Sequence, residues 1–293
     1  MMRDKYLKYI LLLPALIVIA ATSFYPFIQS FWISLHNWNL MNSLTMGPFI
    51  GLSNYVQAFH DSGFWNSVKV TLIFTGLTVV LSLTISMAIA LLLSKNKPYL
   101  SVIRGLLIIP FAMSPALIGF SWRFMLNPEY GLFSKLLGAV FPPLANVQWL
   151  GQPTYAMVAL VSVILWMWIP FISLTLVSGR MSLPGDVFEA ARVDGASPFQ
   201  TFIHITLPLL RPIILIAVIL QTMFALKAFD PVVTLTQGGP GVSTSILNYS
   251  VYQTAFQFFN MGYASALGYL LAVILVILAA FYMRLLVKGE GWR

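Results

Sequence analysis

Six long apolar runs divide the chain, at roughly 9–30, 68–94, 105–126, 154–178, 211–230 and 263–286, and polar residues crowd into the stretches between them. A helix needs about 20 apolar residues to cross a hydrocarbon core. The pattern therefore predicts an all-α integral membrane protein with six transmembrane helices, organised as one membrane domain over residues 1–293 with short external helices. An even number of crossings returns the chain to its starting side, so both termini share a compartment.

Composition agrees. Hydrophobic residues make up 59% of the chain and charged residues 8%, against roughly 25% charged in a soluble domain. The surface must therefore face mostly lipid. The net charge of +8 would suggest nucleic acid in a soluble protein, but here the basic residues stand singly at the ends of apolar runs. Arg3, Lys5 and Lys8 precede the first run, and Lys95, Lys97 and Arg104 lie between the second and third. Arg180, Arg192 and Arg211 border the fourth and fifth, and Arg284, Lys288 and Arg293 close the chain. These are 12 of the 16 basic residues, and their side is cytoplasmic by the positive-inside rule. Lys69, Arg123, Lys135 and Lys227 fall outside it. Nucleic acid is not an expected partner; the lipid bilayer is. With no cysteine, disulfides, thiolate metal sites and lipoprotein acylation are excluded. No metal or cofactor is expected.

The first run has the basic start and short apolar core of a signal peptide, with a tolerable small-residue site at Ala20-Ala21. Apolar character continues through Phe24, Tyr25, Phe27 and Ile28, and Pro14 and Pro26 are unusual in a leader. It is read as a retained transmembrane helix. The outer stretches 31–67, 127–153 and 231–262 carry Trp32, Trp38, Trp65 and Trp149, suited to interface anchoring. Pro110, Pro115 and Pro170 predict kinks in the third and fourth spans. The tryptophans there, Trp122, Trp166 and Trp168, fit a cavity lining and ordinary packing equally well.

The cytoplasmic stretch 182–208 reads as two short helices with a turn. Asp186 stands three residues before Glu189, a capping-box-like pair. Gly195 falls where a left-handed cap is wanted, and Ser197-Pro198 starts a second helix with Phe199, Phe202 and Ile203 on its apolar face. Leu207-Pro208 is expected to end that helix before span five. A pair of surface-lying amphipathic helices would satisfy the same pattern. It leaves the small face of Ala190 and Ala191 beside Glu189 without a purpose, whereas docking to another surface uses it.

The spacing Glu189-Ala190-Ala191, three residues, Gly195, nine residues, Ile205, one residue, Leu207-Pro208 resembles the cytoplasmic loop of binding-protein-dependent ABC importer permeases. Asp194-Gly195-Ala196 is similar to the carbohydrate branch of that family. Further similar elements are Gly51-Leu52-Ser53-Asn54-Tyr55, Lys227-Ala228-Phe229-Asp230, Thr236-Gln237-Gly238-Gly239-Pro240 and Gly262-Tyr263-Ala264-Ser265-Ala266. The Gly-Gly-Pro element resembles the first permease subunit of maltose-type and glycerol-phosphate-type systems.

The resemblance implies a type I ABC importer permease fold, with the loop at 179–210 docked on a cytoplasmic ATPase. Glu189 would pair with a basic group, Ala190 and Ala191 would pack in a cleft, and Gly195 would form the turn, with Asp194, Leu207 and Pro208 completing the motif. The chain has no Gly-x-x-x-x-Gly-Lys-Ser/Thr sequence, so a partner must hydrolyse ATP. The implied partners are a second homologous permease, two copies of the ATPase and an extracytoplasmic solute-binding protein. The implied substrate path uses Trp168 and Phe171 on span four and Gln221, Phe224 and Ala225 on span five. Rings stack on sugars and amides bond hydroxyls, although Phe171 and Phe224 also suit plain helix packing. The maltose permease's asparagines are missing here, which leaves the carbohydrate open.

Lys227 and Asp230 bear on solute charge. Lys227 lies roughly 16 residues, or about 24 Å, beyond the inner end of its span. A pair three residues apart can interact on a helix, so a structural or gating pair is expected. Direct recognition of a phosphorylated or sulfonated sugar by Lys227 is the alternative. An intramembrane enzyme would need acids, bases or nucleophiles within the spans, and an ion-coupled carrier would need buried acids and broken helices in both halves. Neither pattern is evident.

Overall fold

A computed structural model describes residues 2–144 and 147–290, with side chains for 11–144 and 147–285. The side chains of Arg3, Lys5, Lys8 and Lys288, and all of Arg293, lie outside the described residues, so their part in the orientation argument rests on sequence. The described chain is helical and contains no strand, only the isolated bridges His36–Phe49 and Asn39–Asn260. Five helices are long and apolar enough to cross a membrane: Leu11–Ser34, Ser62–Leu93, Pro153–Met181, Pro198–Leu226 and Met261–Leu285. A sixth candidate crossing is a bent pair, Pro98–Ala112 with Pro115–Met125, whose two parts meet at 90°.

That break corrects the expected kink in span three. Met113 and Ser114 are extended, with ψ of 152° and 126°. The residue before a proline is pushed out of the α region, and Pro115 then restarts the helix at its first position, where a missing amide costs nothing. Pro170, by contrast, is accommodated inside the unbroken fourth span.

Two other prolines are absorbed by local widening. Ala20–Phe24 and Phe202–Thr206 are π-helical turns, each ending two residues before a proline, Pro26 and Pro208. The amides of Tyr25 and Leu207 reach back five residues, to Ala20 and Phe202. Widening of this kind lets a helix pass a residue that lacks an amide and crowds the preceding turn. The expected end of the second loop helix at Leu207-Pro208 is therefore overturned: that helix continues into span five from Pro198 to Leu226.

Contacts group the chain into two compact units, Met1–Trp65 with Ser250–Val273 and Asn66–Tyr249 with Ile274–Arg293. In the first unit, polar residues organise the corner after span one. The buried Asn54 amide donates to the carbonyls of Ser34 (2.8 Å) and His36 (3.0 Å). The Tyr55 and Ser34 hydroxyls lie 2.7 Å apart. Gly262 donates its amide to Trp38 O at 3.0 Å, and a Cβ on Gly262 would fall on His36 O. Tyr263 donates to the Asp61 carboxylate at 2.7 Å.

In the second unit, a core of Ala90, Leu93, Leu100, Ile172, Leu176, Val177 and Ala217 joins spans two, four and five and the first part of the bent pair. Thr71, Thr78, Ser82 and Ser86 form a buried hydroxyl stripe along span two, and small residues of this kind let membrane helices approach closely. Thr71 and Thr78 donate to their own helix, to Ser67 O and Phe74 O. Ser86 donates across to Ile169 O at 3.3 Å. The outer loop after span five is held by Thr244, whose hydroxyl lies 2.8 Å from both Thr236 Oγ1 and Gly239 O. Gln237 and Gly238 adopt positive φ there, and Gly239-Pro240 is cis.

Candidate functional site

The cytoplasmic loop opens with a helix over Gly185–Val193. Its N-cap is Pro184, and no side chain caps it. The expected Asp186–Glu189 capping arrangement is thus corrected: with Pro184 as the cap, Asp186 lies inside the first turn, two residues too late to cap. Both acids remain exposed, Asp186 favourably placed near the positive end of the helix dipole. Glu189 has no partner among the described residues. The capping box forms instead at the next helix, where Gln200 N donates to Ser197 Oγ (3.3 Å) and Ser197 N to Gln200 Oε1 (2.8 Å).

Gly195 closes the first helix as expected, with φ +75°. Ala196 N donates to Ala191 O at 2.9 Å and Gly195 N to Arg192 O at 3.2 Å, the paired bonds of a Schellman ending. Ala190 and Asp194 are exposed, while Ala191 is only 6% exposed and packs against the chain itself. Within this loop, then, the free small face is Ala190. The Arg180 guanidinium lies 3.9 Å over the Phe188 ring, a cation–π contact that pins the helix to the end of span four. Two residues beyond the motif complete the surface: Val193 is 87% and Phe199 73% exposed, flanking Asp194 with apolar area. Phe199 was legible as part of an amphipathic face; Val193 carried no signal except its neighbours. Leu207 and Pro208 lie within the continuous helix.

Spans three, four and five bring the predicted path residues together. Trp168 stacks on Phe224 at 3.6 Å between centroids, and Phe111 stacks on Phe171 at 4.9 Å. The two stacks meet edge to face, Phe111 with Trp168 at 5.4 Å and Phe171 with Phe224 at 6.0 Å. Phe111 escaped the sequence reading because it belongs to a four-residue helix, Ile109–Ala112, that only the break in span three sets apart. Below the cluster, a groove of about 630 Å³ runs along Phe171, Thr175 and Ser178 on span four and Ser182 at its end, facing Ile213 and Ile216 on span five. A Cβ on Gly179 would strike Ile213, so the glycine sets how closely these spans approach.

Gln221 and Ala225 are fully buried. Among the described residues, neither polar atom of the Gln221 amide has a hydrogen-bond partner, and the fully buried Ser173 hydroxyl is also unpartnered. A buried polar group without a partner costs about 1–3 kcal/mol.

The expected Lys227–Asp230 pair does not form among the described residues. Span five ends at Leu226, with Lys227 as its C-cap at φ −93°, ψ 1°. The helical spacing that would have aligned the two charges is therefore lost. Both side chains are exposed, and the Lys227 and Ala228 carbonyls accept from the Asn248 amide at 3.3 Å.

Residues 81–289 match the family described as binding-protein-dependent transport system inner membrane component. The trehalose/maltose transport system permease protein of Thermococcus litoralis is 35% identical over 96% of this chain and 94% of its own length. The sulfoquinovosyl glycerol transport system permease protein of Agrobacterium fabrum is 32% identical, covering 97% and 91%. The sn-glycerol-3-phosphate transport system permease protein of the same organism is 31% identical, covering 97% and 96%. Among solved structures, a chain of the bacterial alginate ABC transporter, crystallised with an alginate pentasaccharide-bound periplasmic protein, superposes with a TM-score of 0.81. That match covers 96% of this chain and 93% of the other at 22% identity, and it bears on the fold.

Proposed function

The chain belongs to the family of binding-protein-dependent transport system inner membrane components, and from that premise we propose that it forms the carbohydrate path of an ATP-driven importer. It is a multi-pass membrane protein and a transport permease subunit. The observation that carries the mechanism is the free Glu189–Ala190 face on a helix closed by Gly195 and flanked by exposed Val193 and Phe199.

Glu189 pairs with a basic group of a separate cytoplasmic ATPase, two copies of which serve the complex. Ala190, with Val193 and Phe199 at its rim, fills the receiving cleft. Because the second loop helix is continuous with span five, movement of the docked loop is delivered to Gln221 and Phe224. This is coupling between two sites through one element with two positions. A second homologous permease completes the cavity, and an extracytoplasmic solute-binding protein delivers the solute. Trp168, Phe171 and Phe224 supply apolar ring faces and edges. Gln221 and Ser173 supply unpaired hydrogen-bonding groups, and Ala225 leaves room beside them, a combination suited to a hydroxylated ring.

A second reading, an anionic sugar derivative or glycerol-phosphate ester, is favoured by the unpaired Lys227 and by the named solutes of two relatives. Glu189→Lys tests the docking role. Losing a charge pair at an interface costs about 2–5 kcal/mol, so solute uptake should fall about a hundredfold while the inserted protein keeps its melting temperature and loses the co-purifying ATPase. Normal uptake with intact ATPase association would refute it.

A further inference from the structure

The outer half of the broken third span ends in a second cleft, which neither the docking loop nor the aromatic cluster uses. The helix Pro115–Met125 runs into a tight turn in which Gly131 N donates to Asn127 O at 2.9 Å. A Cβ on Gly131 would collide with the Asn127 and Met125 carbonyls. Leu126, Val147 and Trp149 are buried. On this frame stands a cleft of about 540 Å³, within the size range of small-molecule sites, with Arg123, Asn127, Tyr130 and Gln148 as its polar lining and Phe120 and Phe124 among its apolar walls.

The polar groups share one character. Asn127 Oδ1 is occupied, accepting from the amides of Glu129 (2.8 Å) and Tyr130 (3.3 Å), which leaves the Asn127 Nδ2 donor free. The side chains of Arg123, Tyr130 and Gln148 have no partner among the described residues. Among the described residues no acidic side chain lines the cleft, although Glu129 is adjacent in sequence. A guanidinium, an amide donor, a phenol and a second amide therefore line one cleft, and the guanidinium has no carboxylate beside it among the described residues. Arg123 is also one of four basic residues that the orientation places on the outer side, against the usual bias. Guanidinium groups bind planar or tetrahedral oxyanions with paired, charge-assisted bonds. Flanking rings give a sugar an apolar face to lie on.

We propose that the cleft of Arg123, Asn127, Tyr130 and Gln148 is an entry subsite for an anionic oxygen group, a carboxylate, sulfonate or phosphate, carried on a hydroxylated ring. Arg123 holds the anion, Gln148, Tyr130 and the Asn127 amide hold hydroxyls, and the rings exclude water from one face. The subsite rests on the transport reading and narrows its solute to the anionic class.

The test is equilibrium binding to the full-length chain in phosphatidylcholine nanodiscs, with glucuronate, glucose 6-phosphate and glucose as probes. Both anions should bind and glucose should bind at least tenfold more weakly. Arg123→Gln should weaken the anions by about tenfold or more at unchanged melting temperature, and Arg123→Lys by less. If Arg123→Gln melts early, Gln148→Leu is read instead and should weaken glucose 6-phosphate about threefold. Equal binding of glucose and the anions, or binding indifferent to the variant read, would overturn the proposal. So would Arg123-dependent retention of phosphatidylglycerol that glucuronate cannot displace, which would make this a lipid headgroup site. Because the ATPase is absent from the assay, failure here leaves the transport reading standing, whereas the uptake experiment on Glu189 bears on that reading alone.

Discussion

The turn at Gly195 and the corner at Gly262 are both small polar breaks between apolar helices, and they make opposite demands. Around Gly195 the backbone is left-handed and the space is open: a Cβ there would meet nothing within 4 Å. Around Gly262 the backbone is ordinary and the space is full, with His36 O and the Trp38 amide against the missing side chain. The polar residues near the corner are satisfied internally, as Asn54 holds Ser34 O and His36 O. Those near the turn are held at the surface, with Glu189 unpartnered among the described residues and Val193 and Phe199 bare. One break is closed from within, and the other leaves its side chains uncovered.

The sharpest way to break this contrast is Gly262→Ala. The new methyl cannot coexist with His36 O, so the Gly262–Trp38 bond should open at a cost of about 3 kcal/mol, read as a large fall in melting temperature in detergent. Gly195→Val should cost about 1–2 kcal/mol, the strain of a left-handed backbone, while Gly195→Asn should cost less because the site has room. If Gly195→Val uncouples uptake from ATP hydrolysis while Gly195→Asn preserves it, conformation rather than volume is what the turn supplies. Ser197→Ala removes half of a capping box and should cost about 1 kcal/mol, measurable as faster amide exchange over 199–201. The smallest effect is expected at span five's outer end. Lys227→Gln and Asp230→Asn should be additive, with a coupling below about 0.5 kcal/mol in a double-mutant cycle. A larger coupling would mean that the two charges meet during transport.

The contrast also shows what sequence can carry. The crossings were legible because each needs only length and apolarity, and Gly195 was legible because its conformation is local. The 90° break in span three was not, since hydropathy is indifferent to direction and Pro115 alone predicts no more than a kink. Pro208 misled for the opposite reason: a proline reads as a stop, yet a five-residue π turn lets the helix run through it. The Lys227–Asp230 pairing failed on a boundary, because the helix ended one residue before the spacing could act. Trp168, Phe171 and Phe224 were found together, but Phe111 needed the break to be seen first. Ala191 was assigned to the free face because sequence shows that a side chain is small and not which way it points.

The unbroken helix from Pro198 to Leu226 has a mechanical consequence. At 1.5 Å per residue it is a lever about 43 Å long, so a ten-degree tilt about its outer end sweeps Phe199 through about 7 Å. The third span, jointed at Met113 and Ser114, has no such stiffness, and a push on one of its halves turns into rotation at the joint. A tilt imposed near Phe199 would therefore be carried along one helix as far as Gln221, whereas the same push on the third span would be taken up at its joint.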